Sequence, residues 1–93
     1  MEKNTIVELY NKNIILIDEI VGLFTTEFLQ AVNQNLIQGL ADQKANFTRQ
    51  LSIITDDTNW NKFSSDQKSE LKSLLDGSLK NNDLQLYYSK SRI

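Results

Sequence analysis

The chain has 93 residues, of which 40% are hydrophobic and 24% charged, with a formal net charge of −2 and no histidine, cysteine or proline. This length is typical of one globular domain, because a second hydrophobic core needs more chain. Without histidine and cysteine the usual proton shuttle, the thiolate nucleophile and the soft metal ligands are missing, so the composition favours binding over catalysis.

The distribution of charge and apolar residues excludes several partners. The ten lysines and arginines are scattered, whereas binding to a nucleic acid backbone needs clustered cations, so nucleic acid is not an expected partner. The longest apolar run, Ile14 to Ile17, is far too short for a membrane span, and the first residues lack the pattern of a secretory signal. We therefore expect a cytoplasmic protein.

Apolar spacing predicts a first helix from about Asn4 to Leu23. Its apolar residues recur at steps of three and four, as on one face of a helix, at Ile6, Tyr10, Ile14, Ile17, Val21 and Phe24. The isoleucine-rich part also fits a short buried strand. A break is expected between Gly22 and Thr26, because Thr25 and Thr26 can cap the helix that follows.

The middle of the chain has two interpretations. In the first, a second helix ends near Gly39 or Leu40 and Asp42 caps a third. The apolar residues of these two helices are Phe28, Val32, Leu36 and Leu40, then Phe47, Leu51 and Ile54. In the second, one bent helix runs from Thr26 to Ile54.

The polar segment from Thr55 to Asn59 predicts a loop, because these side chains bond their own backbone. After it, Ser64 and Gln67 have the spacing of a capping box at the start of the last helix. The buried stripe of this helix is predicted at Leu71, Leu74 and Leu75, and its end at Gly77.

Residues 78–93 are predicted to form a short C-terminal tail, in which Leu84, Leu86 and Tyr88 suit an extended segment or a frayed helical turn. The predicted fold is therefore all-α: a single small antiparallel bundle of about four helices within a single domain, residues 1–93. Removing the residues after Gly77 is expected to leave the helical content nearly intact.

No pattern predicts a metal site, a cofactor or a catalytic residue. Asp57, Asn59 and Asn61 match the first ligand positions of an EF-hand calcium loop, but Lys62 replaces its glycine and Lys68 its bidentate glutamate. Neighbouring carboxylates on a helix point in different directions, and no glycine-rich phosphate loop is present. A small-molecule substrate is therefore not expected.

Three stretches resemble the immunity proteins of pediocin-like (class IIa) bacteriocins. Ile6-Val7-Glu8-Leu9-Tyr10-Asn11 is similar to their opening helix, and Thr58 to Phe63, followed by Gln67, Leu71 and Leu74, to the turn into their fourth helix. Leu86, Tyr87 and Tyr88 are similar to the aromatic C-terminal segment. The three stretches cover under half of the chain.

The resemblance implies an antiparallel four-helix bundle without catalysis. It implies action at the inner face of the membrane, on a sugar-transport receptor (the mannose phosphotransferase permease) that has bound bacteriocin. The partner-binding residues carried over are Trp60, Phe63, Leu86, Tyr87 and Tyr88. Aromatic side chains are enriched at binding hot spots, but in a small chain they also complete the core. This chain is acidic whereas many members are basic.

Two other functions fit the residues. A small helical protein of a phage or mobile element can bind a host protein and block it. Alternatively, the regular apolar stripe from Ile6 to Phe24 suits a helical protein that self-associates or coats an apolar surface.

Overall fold

The computed structural model describes residues 2–93, which form five α-helices. They are α1 (Lys3–Gly22), α2 (Glu27–Val32), α3 (Gln34–Ile54), α4 (Asp57–Asn61) and α5 (Ser65–Arg92). The described residues contain no strand, so the all-α prediction is confirmed and the strand interpretation of Ile14 to Ile17 is wrong.

Helix α1 is central, because both α3 and α5 pack along it. Helix α3 runs antiparallel to α1. The Tyr10 hydroxyl donates to Gln50 Oε1 at 3.0 Å, and the Lys44 ammonium pairs with Asp18 at 2.7 Å. The later residue of α1 thus contacts the earlier residue of α3, as in an antiparallel pair.

Helix α5 runs in the same direction as α1. Leu71 and Leu75 pack with the first half of α1, whereas Leu86 packs with its second half. The protein is thus an up-down-up arrangement of three long helices, with α2 and α4 as short connecting helices. Consecutive long helices are antiparallel, but residues 2–93 do not form a bundle of four long helices.

Two apolar clusters make up the core. The one nearer α4 contains Ile6, Leu9, Tyr10, Ile54, Trp60 and Leu75. The other contains Ile17, Ile20, Phe24 and Leu40. Phe47 packs against both clusters, so one continuous core runs along α1.

A buried polar layer crosses this core. Asn13 Nδ2 donates to the carbonyls of Leu9 and Leu75 at 2.8 and 3.2 Å. Asn82 Nδ2 donates to Asn13 Oδ1 at 3.1 Å and to Gln43 Oε1 at 3.0 Å. Within residues 2–93 no buried side-chain nitrogen or oxygen lacks a partner, so this layer links α1, α3 and α5 without an unsatisfied polar group.

The predicted break after α1 is confirmed. Helix α1 ends at Gly22, and the hydroxyl of Thr26 accepts a hydrogen bond from the Leu29 amide at 3.1 Å as the N-cap of α2. This contact satisfies one of the free amides in the first turn of α2.

The predicted boundary between a second and a third helix is wrong. The chain bends at Asn33, whose side-chain amide donates to the Leu29 carbonyl at 2.8 Å, and α3 then continues through Leu40 and Asp42. Asp42 accepts a hydrogen bond from Gln38 inside the helix and does not cap one. The interpretation as one bent helix is therefore closer to the structure.

The stripe predicted at steps of four is wrong at its start, because Phe28 and Val32 are exposed. Leu36 and Leu40 do pack in the core. Phe28 and Val32 lie in α2, whereas Leu36 and Leu40 lie in α3 after the bend at Asn33, so the two pairs do not share one straight helical face.

The loop predicted from Thr55 to Asn59 is shorter in the structure. The Asp56 side chain accepts a hydrogen bond from the Thr58 amide at 2.9 Å and caps α4, which includes Asp57 to Asn59. Trp60, on the same short helix, is buried in the core. The buried Trp60 side chain holds this segment as a helical turn, which its polar residues alone would leave irregular.

The predicted end of the last helix at Gly77 is wrong, and the residues assigned to a separate tail continue α5 to Arg92. Gly77 has no positive φ, and a Cβ there would meet no atom within 4 Å. The helix continues because its buried face does: Leu75, Leu79, Asn82, Leu86 and Ser89 follow steps of four and three. Glycine inside a helix costs only about 0.5–1 kcal/mol relative to alanine.

The predicted capping box at the start of α5 is confirmed. The Gln67 amide donates to Ser64 Oγ at 3.1 Å, and the Ser64 amide donates to Gln67 Oε1 at 2.8 Å. We expect Ser64→Ala to lower the free energy of unfolding by about 1 kcal/mol, measured by urea denaturation. Ser73→Ala, at an exposed position inside the same helix, is the control. An unchanged midpoint for Ser64→Ala would show that the cap does not stabilise the protein.

Candidate functional site

The five residues predicted to contact a partner lie near opposite ends of α5. Trp60 and Phe63 precede this helix, whereas Leu86, Tyr87 and Tyr88 lie near its C-terminal end. Because a helix rises about 1.5 Å per residue, Ser65, the first residue of α5, and Tyr87 are separated by about 33 Å along it. The five residues therefore belong to two separate surfaces.

At the first end, Trp60 is a core residue with 7% of its surface exposed. Phe63 packs partly buried beside it, with ring centroids 6.4 Å apart. The Lys68 ammonium lies 4.6 Å from the centroid of the Trp60 ring, which is within the range of a cation–π contact. Trp60 is therefore part of the core. Phe63 packs against the core as well, and it also lines a surface groove.

At the other end, Leu86 points into the second core cluster. Tyr87 and Tyr88 are 67% and 54% exposed, and their rings meet edge to face with centroids 5.7 Å apart. Leu84, which is also exposed, lies one turn before them on the same face of α5. We call Leu84, Tyr87 and Tyr88 the tyrosine face; it points away from α1.

A groove of about 420 Å³ lies between the C-terminal end of α3 and the first half of α5. We call it the α3–α5 groove. It forms because both helices pack on α1 more closely than on each other. Its lining residues are Tyr10, Gln50, Ile53, Ile54, Phe63, Gln67, Glu70, Leu71 and Leu74.

The α3–α5 groove is apolar with one acidic side. Buried Tyr10 and Ile54 form its floor, and Ile53 and Leu74, which are 49% and 65% exposed, form its edges. Burial raises the pKa of the Tyr10 phenol, so this hydroxyl stays neutral and donates to Gln50. Glu70 is the one charged residue in the lining. The lining therefore lacks a paired nucleophile and base and suits binding of apolar groups.

Two of the residues that match the start of a calcium loop, Asp57 and Asn59, bond to other parts of the protein. Asp57 accepts a hydrogen bond from the Lys3 ammonium at 2.5 Å, and the Asn59 side-chain amide donates to the Ile53 carbonyl at 3.0 Å. These contacts tie α4 to the start of α1 and the end of α3. In the part of the chain that the structure describes, no three acidic residues converge as metal ligands.

Sequence reasoning missed the groove because its sides come from segments distant in sequence. Leu74 was predicted to belong to the buried stripe of the last helix, and this prediction is wrong because Leu74 is 65% exposed. Ile53 was assigned to no surface. Each of the two is adjacent to a buried apolar residue, Leu75 or Ile54. Two adjacent apolar residues cannot both face the core of a helix fully. Two adjacent apolar residues in a helix therefore indicate that one of them lies at the surface.

Comparison with known proteins gives no relative: no family model, no curated protein and no solved structure matches this chain. None of the helices among residues 2–93 is both long enough and apolar enough to cross a bilayer.

Proposed function

We propose that this chain is a non-catalytic protein-binding module and that its role is bacteriocin immunity. The observation that carries the binding proposal is the tyrosine face. Tyr87 and Tyr88 keep large rings in solvent on a helix whose opposite face is buried. Tyrosine is enriched at binding hot spots, because its ring buries a large area at a small cost in conformational entropy.

The immunity role rests on the resemblance of the C-terminal segment to that of the pediocin-like immunity proteins. In that role the chain acts from the cytoplasmic side on a membrane receptor that has bound bacteriocin. Here the segment is the last part of α5, anchored by buried Ser89 and by Leu86, which is partly buried against the second core cluster. A partner at this site would contact a preformed helical face, which lowers the entropic cost of binding.

Two further candidates use exposed surfaces of the same molecule. An inhibitor of a host protein would also use the tyrosine face, and it would confer no protection against any bacteriocin. Self-association is favoured by Phe28 and Val32, which are 75% and 64% exposed and one turn apart on α2. Light scattering tests it, because a monomer at all concentrations contradicts self-association.

The test of the proposal is protection of a sensitive strain that expresses the chain and is challenged with a panel of class IIa bacteriocins. We expect the wild type to protect against one of them and Tyr87→Ala combined with Tyr88→Ala to lose this protection. The melting temperature should change little, because exposed substitutions usually alter stability by about 0.5 kcal/mol or less.

The matched control is Phe28→Ala combined with Val32→Ala, which removes an equally exposed apolar pair from α2. This control should protect like the wild type. Full protection by the double tyrosine variant would contradict the assigned surface, and no protection by the wild type against any bacteriocin of the panel would contradict the immunity role.

A further inference from the structure

We propose that the α3–α5 groove is a docking site for an amphipathic helix of another protein, one that carries lysine or arginine beside its apolar stripe. This inference extends the proposed binding function to a second surface, which shares no residue with the tyrosine face.

The dimensions of the groove suit a helix. Its lining follows α5 from Gln67 to Leu74, a length of about 10 Å or two helical turns. Phe63 lines the groove just before this helix begins. The two sides are helices that already pack on α1. A docked helix would lie between α3 and α5 and complete a four-helix arrangement, a packing in which each helix buries an apolar stripe against its neighbours.

The apolar groups of the groove are placed for this contact. Ile53 on α3 and Leu74 on α5 are exposed and face each other across a floor that includes Tyr10, Ile54 and Leu71. Grooves of this kind bind amphipathic helices through apolar side chains at positions i, i+3 or i+4, and i+7.

The charge of the groove selects the chemistry of the partner. Glu70 lines the groove, and Asp66 lies one turn before it on the same side of α5. Among the described residues neither carboxylate forms a salt bridge, whereas Asp18, Asp57 and Asp76 each pair with a lysine. No lysine or arginine of the described chain lines the groove. A helix with cations beside its apolar stripe is therefore complementary.

A second copy of this chain is the competing occupant, because Lys80 lies one turn before Leu84, next to the tyrosine face. That contact would join two different surfaces head to tail and leave a free groove and a free tyrosine face at the ends of every assembly. Such contacts extend into open filaments unless the rotation closes a ring, whereas most soluble oligomers are closed. An outside partner is therefore the occupant that the surface favours.

The experiment uses the purified full chain and two fluorescein-labelled synthetic helical peptides of about 14 residues, which is longer than the two turns of the groove. Both carry the same leucine stripe; one has lysine and the other glutamate at the flanking positions. Fluorescence anisotropy measures binding. We expect the lysine peptide to bind more tightly, and Leu74→Asp to weaken it at least about ten-fold, as loss of a central apolar contact does.

Two further variants sharpen the result. Glu70→Lys combined with Asp66→Lys should reverse the preference in favour of the glutamate peptide. Ile53→Asp should weaken binding from the α3 side of the groove. Ile15→Asp is the matched control, because Ile15 is an exposed apolar residue of α1 outside both the groove and the tyrosine face, and it should bind the lysine peptide like the wild type. Circular dichroism verifies that each variant is folded.

The inference is overturned if neither peptide binds, if Ile15→Asp weakens binding as much as Leu74→Asp, or if the charge reversal leaves the preference unchanged. It is also overturned if the wild type assembles with concentration and Leu74→Asp makes it monomeric, because the groove then holds a second copy. Peptide binding is independent of the protection assay, so the double tyrosine variant should still bind the lysine peptide, and either proposal can fail alone.

Discussion

Deletion of residues 78–93 should abolish the cooperative thermal unfolding of this protein. These residues form the second half of α5, and they contribute buried Asn82 and Ser89 together with Leu79 and Leu86, which pack against the two core clusters. Full burial of one leucine side chain is worth about 1.5–3 kcal/mol. Domains of this size are stable by about 5–15 kcal/mol in total, so the deletion removes a large part of the net stability.

The measurement is circular dichroism during thermal unfolding. We expect the chain that ends at Gly77 to lose the cooperative transition and much of its helical signal, including signal from α1, whose residues Ile17 and Ile20 lose part of their cover. The sequence-based expectation of a nearly intact helical content assumed a separate tail, and it no longer applies because these residues continue α5. Deletion of residues 91–93, which are all exposed, is the control and should keep the transition. A truncated chain that melts like the wild type would show that α5 beyond Gly77 is not part of the cooperative unit.

Substitution Asn13→Asp should destabilise the protein by about 3 kcal/mol or more at pH 7, because it places a carboxylate in a fully buried site. The Asn13 side-chain amide donates to the carbonyls of Leu9 and Leu75. A carboxylate of nearly the same shape would turn two attractive contacts into repulsive ones. The hydrogen bond from Asn82 could remain, and it offsets only part of this loss.

The loss should depend on pH with a defined sign. Burial and the two carbonyls raise the pKa of the introduced carboxyl in the folded state above its unfolded value of about 3.9. The variant therefore gains stability relative to the wild type as the pH falls through the raised folded-state pKa, and the gain is complete below about pH 4.

Urea denaturation at several values between pH 7 and pH 4 measures the difference in unfolding free energy between variant and wild type. Asn11→Asp makes the same substitution at an exposed position of α1 and should show a small difference with little pH dependence. A constant difference for Asn13→Asp over this range would mean that the introduced carboxyl is not held in a buried site.

Local signals in the sequence predicted the helix boundaries that depend on a few neighbouring residues. The cap at Thr26 and the capping box at Ser64 were found because a hydroxyl at the right spacing satisfies free amides of the first turn. The apolar stripe of α1 was also predicted from local spacing, because its residues recur every three or four positions. Ile6, Tyr10 and Ile17 are buried as this spacing predicts.

The boundary at Gly77 could not be predicted from such signals, because the stripe that carries α5 beyond it contains polar residues. Asn82 is buried between Leu79 and Leu86 in the sequence of this stripe, and Ser89 is buried after Leu86. Polar residues at these positions normally indicate an exposed segment. Asn82 is buried because Asn13 and Gln43, which are distant in sequence, accept its hydrogen bonds.

For the candidate surfaces, the sequence indicated which aromatic residues were available but not where each would point. Tyr87 and Tyr88 are exposed, whereas Trp60 and Leu86 pack into the core. In a helix, residues one position apart differ by about 100° in direction, so the orientation of each depends on which face meets α1.

Composition and helical periodicity determined by themselves that this chain is all-α, where α1 begins and ends to within about a residue, and how α5 starts, since these features depend on contacts within about one turn. The tertiary structure decided the length of α5, the burial of Asn13 and Asn82 and the opening of the α3–α5 groove. Each of these features requires side chains from helices that are far apart in sequence. The contacts between these side chains stabilise the protein only when the helices pack together.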